Sequence, residues 1–504
     1  MELPEGWDWT SFEELAEMIP NALKAGPFGS ALKKSFYVPN GYKIYGQEQV
    51  INEDPHFGNY YIDETRYEEL KSCAVKPGDI LISLVGTIGK VLILPEGIEP
   101  GIINPRLVKL SLDRILVNNE YVKKYLESPS VRDYLSKLSH GGTMDILNLS
   151  ILKTLKISLP PLNEQKRIVA AIEALRERSQ KARSALSAIP ELCDKFRQSV
   201  LAAAFRGDLT ADWREQNPDV ESASTLLERI RKEKIAALSN YKEPELTYEE
   251  DLPELPHTWT WAVPEALSAY ESNAICAGPF GTIFKAKDFR DEGIPIIFLR
   301  HIAPGKYLTH KPGFMDVNKW EELFKPYSIW GGELLITKLG EPPGACAIYP
   351  ENIGPAMVTP DVIKMSANRN GAESLYLMHY FNSEFSKKIT FGVAYGVTRL
   401  RMNLSIFRSL PVPLAPLEEQ REVCKVIQKF FQIADYVEQQ HLNIENQLNQ
   451  LDRSILAKAF RGELVEQDPN DEPASVLLER IRLDREQQMQ GKIKKPGKKK
   501  RTGD

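Results

Sequence analysis

Few residues in this sequence stand at spacings that would do covalent chemistry. Gly86-Thr-Ile-Gly-Lys90 approaches a phosphate-binding loop. Such a loop, however, needs four residues between its glycines and a Ser or Thr after the lysine. Pro360-Asp361-Val-Ile-Lys364 offers an acid and a lysine without the Glu-x-Lys of a metal-dependent nuclease, so it reads as strand and turn. The sequence has no glycine-rich loop for S-adenosylmethionine and no Asn/Asp-Pro-Pro-aromatic motif; Asn104-Pro-Arg106 does not supply one. The seven histidines are scattered without ligand spacing. The five cysteines (Cys73, Cys193, Cys276, Cys346, Cys424) include no CxxC pair. That argues against a zinc site or a disulfide framework and fits a reducing cytosol. Neither a catalytic residue nor a metal ligand is expected on this chain.

What recurs instead is whole segments, about 255 residues apart. Leu201-Ala-Ala-Ala-Phe-Arg-Gly-Asp-Leu209 returns as Leu456-Ala-Lys-Ala-Phe-Arg-Gly-Glu-Leu464. Pro161-Leu-Asn-Glu-Gln-Lys166 returns as Pro416-Leu-Glu-Glu-Gln-Arg421, and Ala25-Gly-Pro-Phe-Gly29 as Ala277-Gly-Pro-Phe-Gly281. A period this long is a duplicated domain rather than a solenoid. Each half opens with Pro-x-x-Trp-x-Trp (Trp7 and Trp9, Trp259 and Trp261), read as a short strand with both rings on one face. Apolar runs at Asp79–Val85 and Glu333–Leu339, each after a glycine turn, predict strands. Short helices are expected near Asn118–Glu127 and Glu373–Ser383. The globular parts are therefore mixed α and β.

Each copy closes on a heptad helix. In the second copy Val423, Ile427, Phe430, Ala434, Val437, His441, Ile444, Leu448, Leu451 and Ile455 alternate steps of four and three. In the first, Ile168, Ile172, Leu175, Ser179, Ala182, Leu186, Ile189, Cys193, Phe196 and Val200 do the same. Neither seam is complete without a partner. The two helices are expected to pair antiparallel, with Leu186 facing His441 and Ser179 near Leu448. His441 reads as a polar residue that sets register. Pro190 lacks the N–H that would bond the Leu186 carbonyl and should kink the first helix. Arg206-Gly207 and Arg461-Gly462 mark glycine stops. Shorter helices follow over Ser222–Leu238 and Ala474–Gln488.

The net charge of −5 does not advertise nucleic acid. Residues 1–160 carry 17 basic and 21 acidic side chains, and residues 251–413 carry 16 of each. Any surface for DNA must therefore be a local patch. Only the tail is strongly basic, with seven Lys or Arg in Lys492–Arg501, and its composition is that of a solvated, disordered end. No run is apolar enough to cross a membrane, and the N-terminus is not a signal peptide.

Two globular domains resemble the specificity (S) subunit of type I restriction-modification systems. Each is closed by a helix with Pro-Leu-x-Glu-Gln at its start and Ala-Phe-Arg-Gly-Asp/Glu-Leu at its end. The likeness runs from Leu3 to about Gln488, and the family's Gly-Asp-Ile-Leu-Ile-Ser/Thr-x-x-Gly also stands at Gly78–Gly86 and, with Glu for Asp, at Gly332–Gly340. The resemblance implies an α+β fold with pseudo-two-fold symmetry. Its parts would be a first target-recognition domain (1–158), a central helical region (159–250), a second recognition domain (251–413), a distal helical region (414–488) and a basic tail (489–504). It implies a cytoplasmic, non-catalytic subunit whose two domains read the halves of a bipartite, non-palindromic site in double-stranded DNA. Its partners would be two modification (methyltransferase) subunits carrying S-adenosylmethionine, and restriction subunits using ATP and magnesium. This chain would itself bind no cofactor. A fused restriction-modification enzyme and a coiled-coil scaffold without DNA specificity remain the alternatives.

The family's base-reading positions vary, so candidates come from side-chain chemistry in matching loops. In the first copy these are Lys33, Lys34, Gln47, Gln49, Ser83, Thr87, Lys90, Arg106, His140 and Thr143. In the second they are Lys285, Lys287, Arg300, His301, Thr337, Lys338, Tyr395, Thr398, Arg399 and Arg401. Arg and Lys read guanine or grip phosphate, and Gln reads adenine. Gly141, Gly142 and Gly396 would let backbone approach a ligand. Ile172, Leu175, Leu186, Phe196, Ile427, Phe430, Val437 and Leu448 are the expected core of the seam. The divergence of Gln47-Glu-Gln49 from Leu299-Arg-His301 favours a reader of two different half-sites over a scaffold.

Overall fold

A computed structural model describes residues 3–84, 89–139, 148–247, 252–279, 288–396 and 400–493. The chain forms two compact units, residues 1–187 with 442–504 and residues 188–441. Each unit therefore takes one globular domain, the near part of that domain's own long helix and the far part of the other.

In the first unit the apolar run condenses into the strand Ile80–Ser83, every residue of which is buried. It is central in an antiparallel sheet ordered Leu23–Ala25, Leu107–Leu110, Ile80–Ser83, Val91–Ile93. Strand side chains alternate faces, so a run buried throughout needs cover on both sides. Ile80 and Ile82 join a core with Trp7, Tyr121 and Ile168, while Leu81 joins another with Tyr45 and Ile102. The second cover is a small sheet ordered Tyr61–Ile62, Tyr42–Tyr45, Gly101–Ile103, the last pair parallel. A turn starts the central strand: Asp79 N–H donates to the Lys76 carbonyl, and Gly78 takes φ +84°, which glycine adopts without strain.

The second unit repeats this layering. Its antiparallel sheet is ordered Ile275–Ala277, Val362–Met365, Leu334–Thr337, Cys346–Ile348. Gly332, at φ +82°, makes the matching turn. The second sheet is larger, with five strands ordered Phe289–Arg290, Gly313–Met315, Ile294–Ile297, Ala356–Val358, Ser328–Ile329. The repeated Ala-Gly-Pro-Phe motif has a steric cause in both copies. A Cβ on Gly26 would lie 1.8 Å from the Asn104 carbonyl oxygen, and one on Gly278 would lie 2.0 Å from that of Val358.

The motifs flanking the helices turn out to be clamps. The Trp7 indole N–H donates to Glu164, and that of Trp259 donates to Glu419. The Gln165 amide donates to the Leu116 and Pro160 carbonyls and accepts from Asn118 N–H; Gln420 does the same with Gly371, Ala415 and Glu373. Phe460 sits edge-on to Tyr121 and Tyr125, and Phe205 sits edge-on to Tyr376 and Tyr380. The hydroxyls of all four tyrosines donate to backbone carbonyls. Pro-Leu-x-Glu-Gln and Ala-Phe-Arg-Gly thus fasten two different helix ends onto each domain.

The distal helix is continuous over Leu417–Ala459. The first helix is interrupted: Leu162–Leu186 ends, and Ile189–Phe205 begins with Pro190 in its first turn, where a missing N–H costs no bond. Ion pairs link the helices within each unit. Arg183 meets Asn449 and Asp452, and Arg197 meets Asp435 and Glu438. The seam is driest near the globular domains: Ile168, Ile172, Val423 and Ile427 are fully buried. Leu175, Leu186, Phe430 and Leu448 are partly buried, and Phe196 and Val437 are each 38% exposed. His441 is half-buried.

One local expectation fails. Trp7 and Trp259 are buried against the helix starts, but Trp9 is 40% exposed and Trp261 half-buried, so the paired tryptophans do not share one covered face. The strand Asp8–Ser11 begins only after Trp7, which leaves that ring outside the pleat.

Candidate nucleic-acid interface

In each copy the central strand of the covering sheet (Tyr42–Tyr45, Ile294–Ile297) runs straight into a tight turn built on one device. At the end of the first, Gly46 N–H donates to the Gln49 side chain at 2.8 Å; at the end of the second, Phe298 N–H donates to His301 Nδ1 at 2.9 Å. In both, the third residue of the turn reaches back to cap its entry, a capping geometry that satisfies a donor helix starts otherwise leave open. Gln49 also donates to the Phe57 carbonyl and is 1% exposed, and His301 is 0% exposed. Burial, and then the neighbouring Arg300 charge, hold the His301 imidazole below its ordinary pKa. These two expected base readers are therefore interior struts, and the correction has a plain cause: both side chains are buried, and the Gln49 amide and His301 Nδ1 are engaged in holding the turn.

Around the first turn the structure assembles three expected residues. Gln47 donates to Ser83 Oγ at 2.7 Å, and Arg106 donates to the Gln47 oxygen at 3.4 Å. The end of a strand, the start of a turn and the loop after Ile103 thus converge. Ser83 is buried beneath Gln47, while Arg106 is exposed. Lys33 and Lys34 are exposed, and so is Phe28, an 84% exposed ring that side-chain charge does not single out; Lys90 is half-buried.

Around the second turn, Arg300 is exposed, its guanidinium carbon 4.3 Å from the Phe298 ring centroid and one amino group 3.5 Å from the Lys311 carbonyl. Thr337 is buried, and its hydroxyl accepts from Gly344 N–H. Lys338 donates to the Pro360 carbonyl, and burial lowers its pKa, with Asp361 acting the other way. Tyr395 and Arg401 are exposed and exchange backbone hydrogen bonds, and Gly396, next to Tyr395, takes φ +123°. Thr87, His140, Thr143, Lys285, Lys287, Thr398 and Arg399, with Gly141 and Gly142, lie outside the described residues.

Among the described residues no cluster of His, Cys, Asp or Glu could hold a metal, and no helix is long and apolar enough to cross a membrane. Each copy presents a side-chain-capped turn, with exposed planar donors on it or on neighbouring loops.

Comparison with known proteins places this architecture. The type I restriction modification DNA specificity domain matches residues 4–186 and 281–446. The specificity subunit of the type I restriction enzyme EcoBI from Escherichia coli is 26% identical over 421 residues, covering 82% of this chain and 80% of that one. The EcoKI specificity subunit from E. coli K12 is 24% identical over 382 residues, covering 73% and 72%. The crystal structure of the HsdS subunit from Thermoanaerobacter tengcongensis shares the fold at TM-score 0.54 and 16% identity, covering 92% of this chain and 98% of that one. A chain from a structural study of complex assembly in the type I restriction-modification system gives TM-score 0.57 at 17% identity, covering 92% and 100%. The chain belongs to the type I restriction-modification specificity family.

Proposed function

We propose that this chain is the DNA-specificity subunit of a type I restriction-modification complex, with each globular domain reading one half of a bipartite, non-palindromic site. One observation carries the reading: the clamps onto the helices repeat residue for residue, whereas the turn edges do not. A duplicated scaffold with divergent edges suits two half-sites of different sequence. Arg106, Arg300 and Arg401, with Gln47 and Lys338, contact the duplex, and Lys33, Lys34 and Lys90 supply phosphate contacts. Methylation and cleavage fall to separate modification and restriction subunits, which hold S-adenosylmethionine, ATP and magnesium.

The helices also supply a surface for those subunits. Leu192, Ile433 and Tyr436 are 59%, 48% and 65% exposed on the paired helices of the second unit. Large apolar side chains left exposed on these helices are the candidates for contact with the modification subunits. The test is methylome sequencing of cells carrying the complete system, with or without this chain. A two-part methylated motif that disappears with the chain is expected. Methylation that persists unchanged in its absence would refute the reading.

A further inference from the structure

The capped turns align position for position. Gly46, Gln47, Glu48, Gln49 correspond to Phe298, Leu299, Arg300, His301, because Gln49 and His301 cap the same backbone N–H from the same place. Counted from Gln47 and Leu299, which follow the capped residue, the third residue is buried in both copies and the second is exposed in both. That second residue is Glu48 in one and Arg300 in the other, so two like frames carry opposite charges at one site.

Arg300 is held as a planar fork. Phe298 supports one face of the guanidinium, and the Lys311 carbonyl takes one donor. A guanidinium so pinned suits bidentate contact with one base edge, whereas a flexible lysine serves as a point charge for phosphate. Guanine presents two acceptors in the major groove, O6 and N7, to such a fork. A carboxylate has the complementary use: it accepts from the cytosine N4 amino group and is repelled by phosphate. An acid exposed on a DNA-reading turn therefore has a base as its natural partner.

We propose that the second residue of this turn is a specificity-determining position in both domains, Arg300 selecting a guanine in one half-site and Glu48 a cytosine in the other. The inference rests on the DNA-reading function proposed above. Sequence chemistry alone passed over Glu48, because acids were not sought at a DNA surface.

The test is selection from a randomised duplex library by the full chain assembled with type I modification subunits. The wild-type chain should recover a two-part motif; recovery of none would remove the DNA-reading function and this inference with it. Arg300→Gln should relax one guanine in one half-site, leave the other half unchanged and weaken the wild-type site about ten- to a hundredfold. Arg300→Lys should relax the same base while keeping the salt dependence, since charge remains but the fork is lost. Glu48→Gln should relax one cytosine in the opposite half. A wild-type motif that Arg300→Gln leaves intact, with binding unchanged or uniformly weaker, would overturn the assignment. So would changes by both variants in the same half.

Discussion

In the first domain Phe460 wedges against Tyr121 and Tyr125, Gln165 bridges two carbonyls and an N–H, and Trp7 reaches Glu164. In the second domain Phe205, Tyr376, Tyr380, Gln420, Trp259 and Glu419 make the same contacts. At the turns the likeness ends: a Gln47–Ser83–Arg106 network on one side, an Arg300–Phe298 stack on the other. The covering sheet differs too, three strands against five. The contrast separates two tasks. Fastening a domain to a helix has one good solution here, used twice; the exposed edges at the turns differ from one domain to the other.

The sharpest way to break the anchor half of this comparison is to charge the buried seam. Ile172→Asp and Ile427→Asp each put an unpaired carboxylate at a fully buried position. Each should cost several kcal/mol, and similarly in both units. Chemical unfolding with probes in each unit checks this. A large loss in one and none in the other would show that the anchors are not equivalent.

Glu164 and Glu419 sharpen the comparison because they are alike in place and unlike in company. Glu419 is fully buried and accepts from Trp259, Thr210 and Arg214. Glu164 accepts from Trp7, and burial raises its pKa. Breaking the buried Arg214–Glu419 pair with Glu419→Gln should cost about 3 kcal/mol, while Glu164→Gln keeps the indole hydrogen bond and should stay within about 1 kcal/mol. The raised Glu164 pKa has a definite sign. Its contribution is fully present below the unfolded value of 4.5 and is lost as pH rises through the folded value, so the carboxylate is a burden at neutral pH. Thermal melts of the two variants at pH 7 measure the difference; equal losses would contradict it.

A pH effect belongs to the second unit. His379 is buried edge-on to Phe431, and burial pushes its pKa down to about 4. A depressed folded value means the contribution is intact above the unfolded pKa of 6.5 and falls away as pH drops towards 4. The full loss is roughly 3 kcal/mol, and at pH 5.5 it is only about 1 kcal/mol. His379→Phe should flatten this part of the stability profile. An unchanged profile would show that other groups govern it.

The duplication, the mixed α and β content and the antiparallel seam were legible in the sequence because each rests on repetition: a 255-residue recurrence, or a heptad over many turns. The clamps were legible as motifs but not as contacts, since nothing in Pro-Leu-x-Glu-Gln tells that Gln165 bonds Leu116, 49 residues earlier. The edges were least legible. Gln49 and His301 look like base readers by residue type, and only the turn geometry shows both buried, with the Gln49 amide and His301 Nδ1 already engaged. Conversely, Glu48 looks unsuited to DNA until the capped turns are aligned and it is seen to occupy the position that Arg300 holds in the other copy. The central strand Ile80–Ser83 was recognisable from its apolar run, but two-residue strands such as Tyr61–Ile62 carry too little pattern to stand out.

The central claim is that the two domains read separately on a common scaffold, and exchange of one domain tests it most directly. Residues 1–155 are replaced by the matching segment of a relative of different specificity, and the methylated motif of the complete system is sequenced. A donor segment that carries the domain-side clamp residues (Trp7, Tyr121 and Tyr125 in this chain) meets Glu164, Gln165 and Phe460 unchanged, so the chimaera should assemble and methylate. One half of the motif should change to that of the donor, and the other half should stay as it was. A motif altered in both halves, or in neither, would contradict the account.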